Sequence, residues 1–213
     1  MPHWYDGAND YWGKFMLGWL EGIFFGRQDP THPHDRTIVR ALSAGMQTRT
    51  TAKRNRVLHA YVKSHSPSVA GTRAMVSSGV PVDAINHDGD TPFLIAVRSG
   101  KEPLARTLAE LGANVNHANH RDRTPLHEAA ERGNLTMVKM CMTYRARLEV
   151  QDKLGNTPLH LAAAQAHSGV IEFLVRSGAR PDITNQASQT AFALAPEPLR
   201  RQMTTWWLET TSR

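Results

Sequence analysis

Residues 122–134 read DRTPLHEAAERGN and combine the signals of a turn with those of a short helix. Thr124 followed by Pro125 is typical of a helix start, because proline is tolerated in the first helical turn. The same stretch contains the pair His127 and Glu128, and the HExxH helix of zinc proteases also opens with this pair. The stretch therefore has a structural and a catalytic interpretation, and the rest of the chain distinguishes them.

Similar stretches recur along the chain at intervals of 33 residues. TPF begins at Thr91, TPLH at Thr124 and again at Thr157, and TAFA at Thr190. A fixed period of this length is the signature of a stacked repeat array. Three further columns keep the same spacing: Gly79, Gly112, Arg145 and Gly178; Asn86, Asn119, Asp152 and Asn185; and Ala96, Ala129, Ala162 and Ala195.

Each repeat has the pattern of two short helices. After Thr124, an apolar face with small alanines predicts a first helix that a second helix can approach closely. Gly133 then breaks the chain, and the apolar residues from Leu135 to Met142 predict the second helix. One such pair cannot bury its apolar face alone, but a stack of pairs can.

The phrases DGDTPFLIAVRSG (88–100), RDRTPLHEAAERGN (121–134) and LGNTPLHLAAAQAH (154–167) resemble ankyrin repeats. The resemblance covers roughly residues 56–208, which is most of the chain. It implies an all-α solenoid of stacked helix-turn-helix units, and the aromatic residues before it are predicted separately, from their spacing, to form a helical extension.

The resemblance divides 56–208 into five units. Unit 1 (about 56–85) is degenerate and carries about two extra residues, and unit 5 (185–208) is partial and closed by a helix. Three positions depart from the family pattern: Arg145 stands in a glycine column, Leu94 replaces the motif histidine and Ala166 replaces a loop glycine. Units 2, 3 and 4 are expected at 86–118, 119–151 and 152–184.

The repeat explains the His-Glu pair without catalysis. A zinc-protease helix needs a second histidine four residues after the first, where this chain has Glu131. In ankyrin repeats the histidine at the position of His127 hydrogen-bonds within and between turns. The sequence shows no phosphate loop, no nucleophile elbow and no Cys-His nucleophile pattern. We therefore expect no enzyme, no cofactor and no metal site.

The resemblance places partner contacts on the turn tips and on the exposed side of each first helix. This face is mildly basic, and two interpretations stay open: an ordinary solvated surface, or a groove for an acidic peptide or protein surface. The residues expected on it are His87, Asp88, Asp90, Arg98, His120, Arg121, Arg123, Glu131, Arg132, Lys153, Leu154, Asn156 and Gln165.

The first 25 residues hold eight of the chain's fifteen aromatic side chains, too many for a free disordered tail. We expect residues 1–30 to cap the open end of the repeats, to insert into another subunit, or to lie on a membrane surface. The expected anchor residues are Trp4, Tyr11, Trp12, Phe15, Trp19, Phe24 and Phe25.

Residues 31–55 are predicted to form a basic linker. The stretch 31–56 carries six basic residues against one acidic residue, which suits an acidic protein, acidic lipid or RNA. Its most basic part contains Arg49, Lys53, Arg54 and Arg56.

The preferred function is a non-catalytic protein-interaction module that serves as an accessory subunit of a larger assembly. The alternatives are a nucleic-acid-associated factor, as on a ribosome-like particle, and a membrane-surface subunit of an organellar complex without a transmembrane span. A single cysteine, Cys141, and no visible secretory signal favour an intracellular reducing compartment, cytoplasmic or organellar such as mitochondrial.

Overall fold

A computed structural model describes residues 58–64 and 67–212 of the chain. The predicted anchor segment 1–30, the basic linker 31–55 and Arg56 therefore lie outside the described residues. The described part is helical, without extended strands, as the sequence predicts. Its helices are residues 58–63 (α1), Val69–Ser77 (α2), Pro92–Arg98 (α3), Glu102–Glu110 (α4), Pro125–Glu131 (α5), Leu135–Thr143 (α6), Pro158–Ala164 (α7), Ser168–Arg176 (α8), Ala191–Leu194 (α9) and Glu197–Thr211 (α10).

Threonine caps the first helix of units 2 to 5, in line with its recurrence in the sequence. The hydroxyl of Thr91 accepts a hydrogen bond from Leu94 N at 3.2 Å, and Thr190 does the same for Ala193 N. Such a cap satisfies one of the amide groups left free at a helix start. Pro92, Pro125 and Pro158 follow directly and need no amide partner there.

The helices lie in two rows. The first helices α3, α5, α7 and α9 contact one another in order, and the second helices α2, α4, α6, α8 and α10 form the row behind them. Fully buried alanines such as Ala129 and Ala162 keep neighbouring helices close, while Phe93, Leu126 and Leu159 fill the space between the rows. Alternation of small and large residues in each unit thus produces one continuous core.

Unit 1 stacks on unit 2 through the same bond that joins later units. His59 Nε2 lies 2.9 Å from Asp90 O. The equivalent contacts are 3.0 Å from His127 to Asn156 O and 3.1 Å from His160 to Gln189 O. The first helix pair therefore keeps the stacking register although its sequence is degenerate.

The helix α10 closes the other end of the stack. Met203 is fully buried and Leu199 nearly so, and the ring of Trp207 meets Phe192 edge to face at 5.7 Å. The family pattern ends before this helix, so its apolar face covers the last repeat in place of a further unit.

Arg145 adopts the conformation of the glycines in its column. Its φ is 63°, against 88°, 90° and 96° at Gly79, Gly112 and Gly178. A left-handed backbone costs a residue with a Cβ roughly 1–2 kcal/mol, so the cap of α6 carries local strain. Within the described residues, every helix falls short of the length and apolarity that a membrane crossing requires.

Candidate protein-interaction face

The turn tips of units 2 to 5 form a hydrogen-bonded ladder. The amide of His120 donates to Asp88 O, that of Lys153 to Arg121 O and that of Gln186 to Leu154 O, each at 3.0 Å. Successive tips are thereby held side by side. Within each tip the first residue, Asn86, Asn119, Asp152 or Asn185, accepts hydrogen bonds from backbone amides two and four residues later.

His127 has a structural role that occupies both of its ring nitrogens. Nδ1 accepts from Thr124 N at 3.1 Å, so the remaining ring proton lies on Nε2, which donates to Asn156 O in the next unit. Burial lowers the pKa of His127 and outweighs the opposing hydrogen bond to Asn156. The side chain therefore stays neutral and joins two units.

Two further observations concern the cysteine and the metal-binding side chains of the described part. Burial raises the pKa of the Cys141 thiol to about 12, so the nucleophilic thiolate does not form at neutral pH. Within residues 58–64 and 67–212, no three His, Cys, Asp or Glu side chains are grouped so that they could hold a metal ion.

Arg98 bridges two buried carboxylates from different units. Its Nη1 and Nη2 donate to Asp90 at 2.7 and 3.0 Å, and its Nε donates to Glu128 at 2.9 Å. The side chains of both acids are only 2% exposed. Asn119 also donates to Asp90 at 2.8 Å. The two carboxylates thus exchange water for charge-assisted hydrogen bonds, which are stronger than neutral ones.

These contacts control the ionisation of the bridge. Burial alone would raise the pKa of Asp90, but the hydrogen bonds from Arg98 and Asn119 outweigh it and hold the pKa below its usual value. Burial would lower the pKa of Arg98, and its two carboxylate partners raise it instead. Both groups are therefore charged at neutral pH.

Arg123 adds charge on the other side of Glu128. Its Nη1 lies 3.5 Å from Glu128 Oε1 and its Nη2 lies 2.7 Å from Glu131 Oε2. Nε and Nη2 nevertheless lack a well-aligned hydrogen-bond partner among the described residues, so this contact is mainly an ion pair. We call the set Asp90, Arg98, Arg123, Glu128 and Glu131 the ionic bridge.

Four residues of the ionic bridge lie in different surroundings from those expected from the sequence. Asp90 was expected on an exposed tip, but the residue is 1% exposed. Arg98, Arg123 and Glu131 were expected to face a partner, yet each is engaged with an acid or base of its own chain. The physical reason is that Asp90 and Glu128 are buried beneath the arginines, where burial demands an opposite charge, while Glu131 pairs with the largely buried Arg123.

Glu128 belongs to the site and was not predicted. The residues one period away are Ile95, Leu161 and Leu194, so an acid interrupts an apolar column. An acid in such a column needs a cation nearby, and Arg98 and Arg123 are the bases that fill this need. The role of Glu128 could therefore have been predicted from the sequence, by comparing it with the residues at the same position in the other units.

The remaining expected residues differ in their freedom to meet a partner. His87 and Asp88 are exposed, and Nε2 of His87 lies 3.3 Å from Oδ1 of Asp88. The ring of His120 covers Gly89, where an added Cβ would lie 2.7 Å from that ring. Asn156 is half-buried and accepts from Asn185 at 2.9 Å, while Gln165 is exposed.

Three cations of the expected partner face are exposed and form no ion pair within the described structure. Arg121, Arg132 and Lys153 have no acidic side chain within ion-pair distance among the described residues. Arg98 and Arg123 pair with the three acids Asp90, Glu128 and Glu131, which leaves one net negative charge on the ionic bridge. Among the exposed side chains here that form no ion pair, Arg121, Arg132 and Lys153 outnumber Asp122, so this unpaired charge is net positive. We call Arg121, Arg132 and Lys153 the basic triad.

An apolar pocket of about 350 Å³ lies next to the basic triad, between units 4 and 5. Its main apolar side chains are Leu154, Leu161, Ala164 and Leu194, and His160 and Ala187 also line it. Leu154 is 65% exposed, so solvent reaches the apolar side chain on the rim of this pocket.

Comparison with protein families agrees with this architecture. A model described as ankyrin repeats in three copies matches residues 115–185, and a single ankyrin-repeat model matches 88–120. The comparison with curated proteins finds no match. Residues 88–185 of this chain are therefore ankyrin repeats, which form a protein–protein interaction module.

Proposed function

We propose that this chain is a non-catalytic accessory subunit whose ankyrin face binds an acidic segment of a protein partner. The observation that carries the proposal is the basic triad: Arg121, Arg132 and Lys153 are exposed and unpaired in the described structure, whereas Asp90, Glu128 and Glu131 are engaged by Arg98 and Arg123. An electropositive face attracts acidic partners and repels basic ones.

The spacing of these cations supports a single contact. Lys153 N donates to Arg121 O, so two of the three charges stand on adjacent tips. Arg132 follows the end of α5 in the same unit as Arg121. An extended acidic segment that crosses units 3 and 4 can therefore meet all three cations.

The test is affinity capture of the full chain from cells, followed by measurement of the captured partner's affinity. The double variant Arg121→Glu/Lys153→Glu should lose the partner, and wild-type binding should weaken as salt is added. Lys139→Glu is the matched control, because Lys139 is an exposed cation on α6, in the other helix row. Equal loss with the control variant, or no loss with the double variant, contradicts the proposal.

Membership of an assembly rests on the aromatic segment 1–30 of the sequence. Deletion of residues 1–30 should release the chain from the assembly while leaving the repeat face able to bind. A full-length chain that is monodisperse, with associations in cells unchanged by the deletion, contradicts this part. Capture that is abolished by ribonuclease and by neutralising Arg49, Lys53, Arg54 and Arg56 identifies an RNA-associated factor instead.

A further inference from the structure

The face changes its chemistry between units 3 and 4 at identical repeat positions. Unit 3 carries Arg121, Glu128 and Glu131, and the residues one period later in unit 4 are Leu154, Leu161 and Ala164. Every one of these three positions thus changes from charged to apolar. The ionic bridge fills this space in units 2 and 3, whereas the apolar pocket lies open there in units 4 and 5.

We propose that the apolar pocket receives one large aliphatic or aromatic side chain of the acidic segment that binds the basic triad. This inference rests on the proposed function and names the chemistry of the partner: an acidic peptide with an apolar anchor. Lys153 and Leu154 are consecutive residues on one tip, so the positive charge and the pocket belong to one contact surface.

The dimensions of the pocket fit such an anchor. Its volume of about 350 Å³ is at the lower end of the roughly 300–1,000 Å³ typical of ligand pockets. The pocket is also open to solvent, since Leu154, Ala164 and Ala187 on its rim are exposed. A protruding side chain can therefore enter it without unfolding the array.

Anchoring of this kind is how small interfaces gain affinity. A few large side chains in well-packed pockets supply most of the binding energy, and surrounding charges mainly add specificity and faster association. The basic triad alone would attract many acidic chains. The pocket would select those that place an apolar side chain beside the acidic residues.

The experiment uses a displayed library of random peptides, selected against the full chain. The expected enriched peptides contain one large apolar residue next to two or more acidic residues. Leu154→Asp places a charge at the rim and should weaken their binding about ten-fold or more. Ala164→Phe partly fills the pocket from an exposed position and should weaken binding similarly.

Leu208→Asp is the matched control, because Leu208 is also an exposed leucine, 58% accessible, but lies on α10 outside the pocket lining. Circular dichroism and the unfolding midpoint of each variant show that the fold is intact. Binding that survives in Leu154→Asp and Ala164→Phe, or is lost equally in Leu208→Asp, overturns the anchor.

The outcomes separate this inference from the proposed function. Peptides that are acidic, lack an apolar consensus and lose binding only in Arg121→Glu/Lys153→Glu refute the pocket and retain the acidic partner. Peptides without acidic residues, or with binding unaffected by that double variant, refute both. A selection without enrichment also counts against both.

Discussion

Replacing Arg98 with methionine should remove the only base that contacts both buried acids of the ionic bridge in the described structure. Methionine preserves much of the length and packing of arginine but donates no hydrogen bond. Asp90 would keep one bond from Asn119, and Glu128 would keep the ion pair with Arg123 at 3.5 Å. Neither acid has an exposed surface on which water could replace Arg98, because both side chains are 2% exposed.

The expected loss of unfolding free energy is about 3 kcal/mol. Removing one partner of a buried ion pair costs roughly 3–5 kcal/mol, because the other charge stays buried and uncompensated. The lower end applies for two reasons. The Arg98 side chain is itself 23% exposed, and Asn119 and Arg123 still compensate part of the charge.

Equilibrium urea unfolding at neutral pH, followed by far-UV circular dichroism, measures this loss. Folding lowers the pKa of Asp90. The stabilisation from Asp90 is therefore complete above the pKa it has in the unfolded chain, and it disappears as pH falls through the pKa it has in the folded chain. The triple variant Arg98→Met/Asp90→Asn/Glu128→Gln should recover most of the loss, since neither buried carboxylate then remains without its arginine. A loss below about 1 kcal/mol in the single variant would refute the reasoning, because the bridge would then behave like a surface ion pair.

Three further predictions concern strain and protonation. Arg145→Gly should stabilise the chain by about 1 kcal/mol, seen as a higher urea midpoint, because glycine adopts φ 63° without penalty. Gly155→Ala should destabilise it more than Gly112→Ala: both glycines are left-handed, but an added Cβ meets Gln186 N at 2.7 Å only at Gly155. An equal loss would argue against the clash. Burial lowers the pKa of His127, so its contribution to the free energy of unfolding is complete above about pH 6.5 and is lost as pH falls through the folded pKa. The free energy of unfolding measured against pH should show this decline, and the decline should be smaller in His127→Gln.

The repeat period predicted a stacked array, and the resemblance to ankyrin repeats predicted the fold of its units. The threonine and proline columns mark helix starts, and α3, α5 and α7 begin at Pro92, Pro125 and Pro158, each directly after its threonine. Local signals were enough here because each helix pair has its own cap, breaker and apolar face. The left-handed Arg145 also follows from its position in a glycine column.

The site was harder to predict, because its properties arise between units. Family resemblance places Asp90 and Arg98 on a partner face, but the side chain of each is committed to an oppositely charged residue of the array. The pocket at Leu154 depends on how two tips and two helices meet, and no single unit encodes that space. Roles for residues 1–57 stay predictions, because those residues lie outside the described structure.

The joint between units 2 and 3 differs chemically from its neighbours. At the three other joints that the structure describes, a histidine donates to the next unit, but Leu94 stands at that position in unit 2. Here the polar link is supplied by the ionic bridge, in which Arg98 joins Asp90 to Glu128, and by the hydrogen bond from Asn119 to Asp90.

This difference makes the interface between units 2 and 3 the one at which we expect the array to separate first. Stability in a stacked array is a sum of unit and interface contributions, so the weakest interface under given conditions is where it separates. The acids Asp90 and Glu128 of the ionic bridge are buried, so salt screens this link only weakly. In Arg98→Met, which removes the link, we expect units 1 and 2 to unfold at lower urea than units 3 to 5, which would turn one cooperative transition into two.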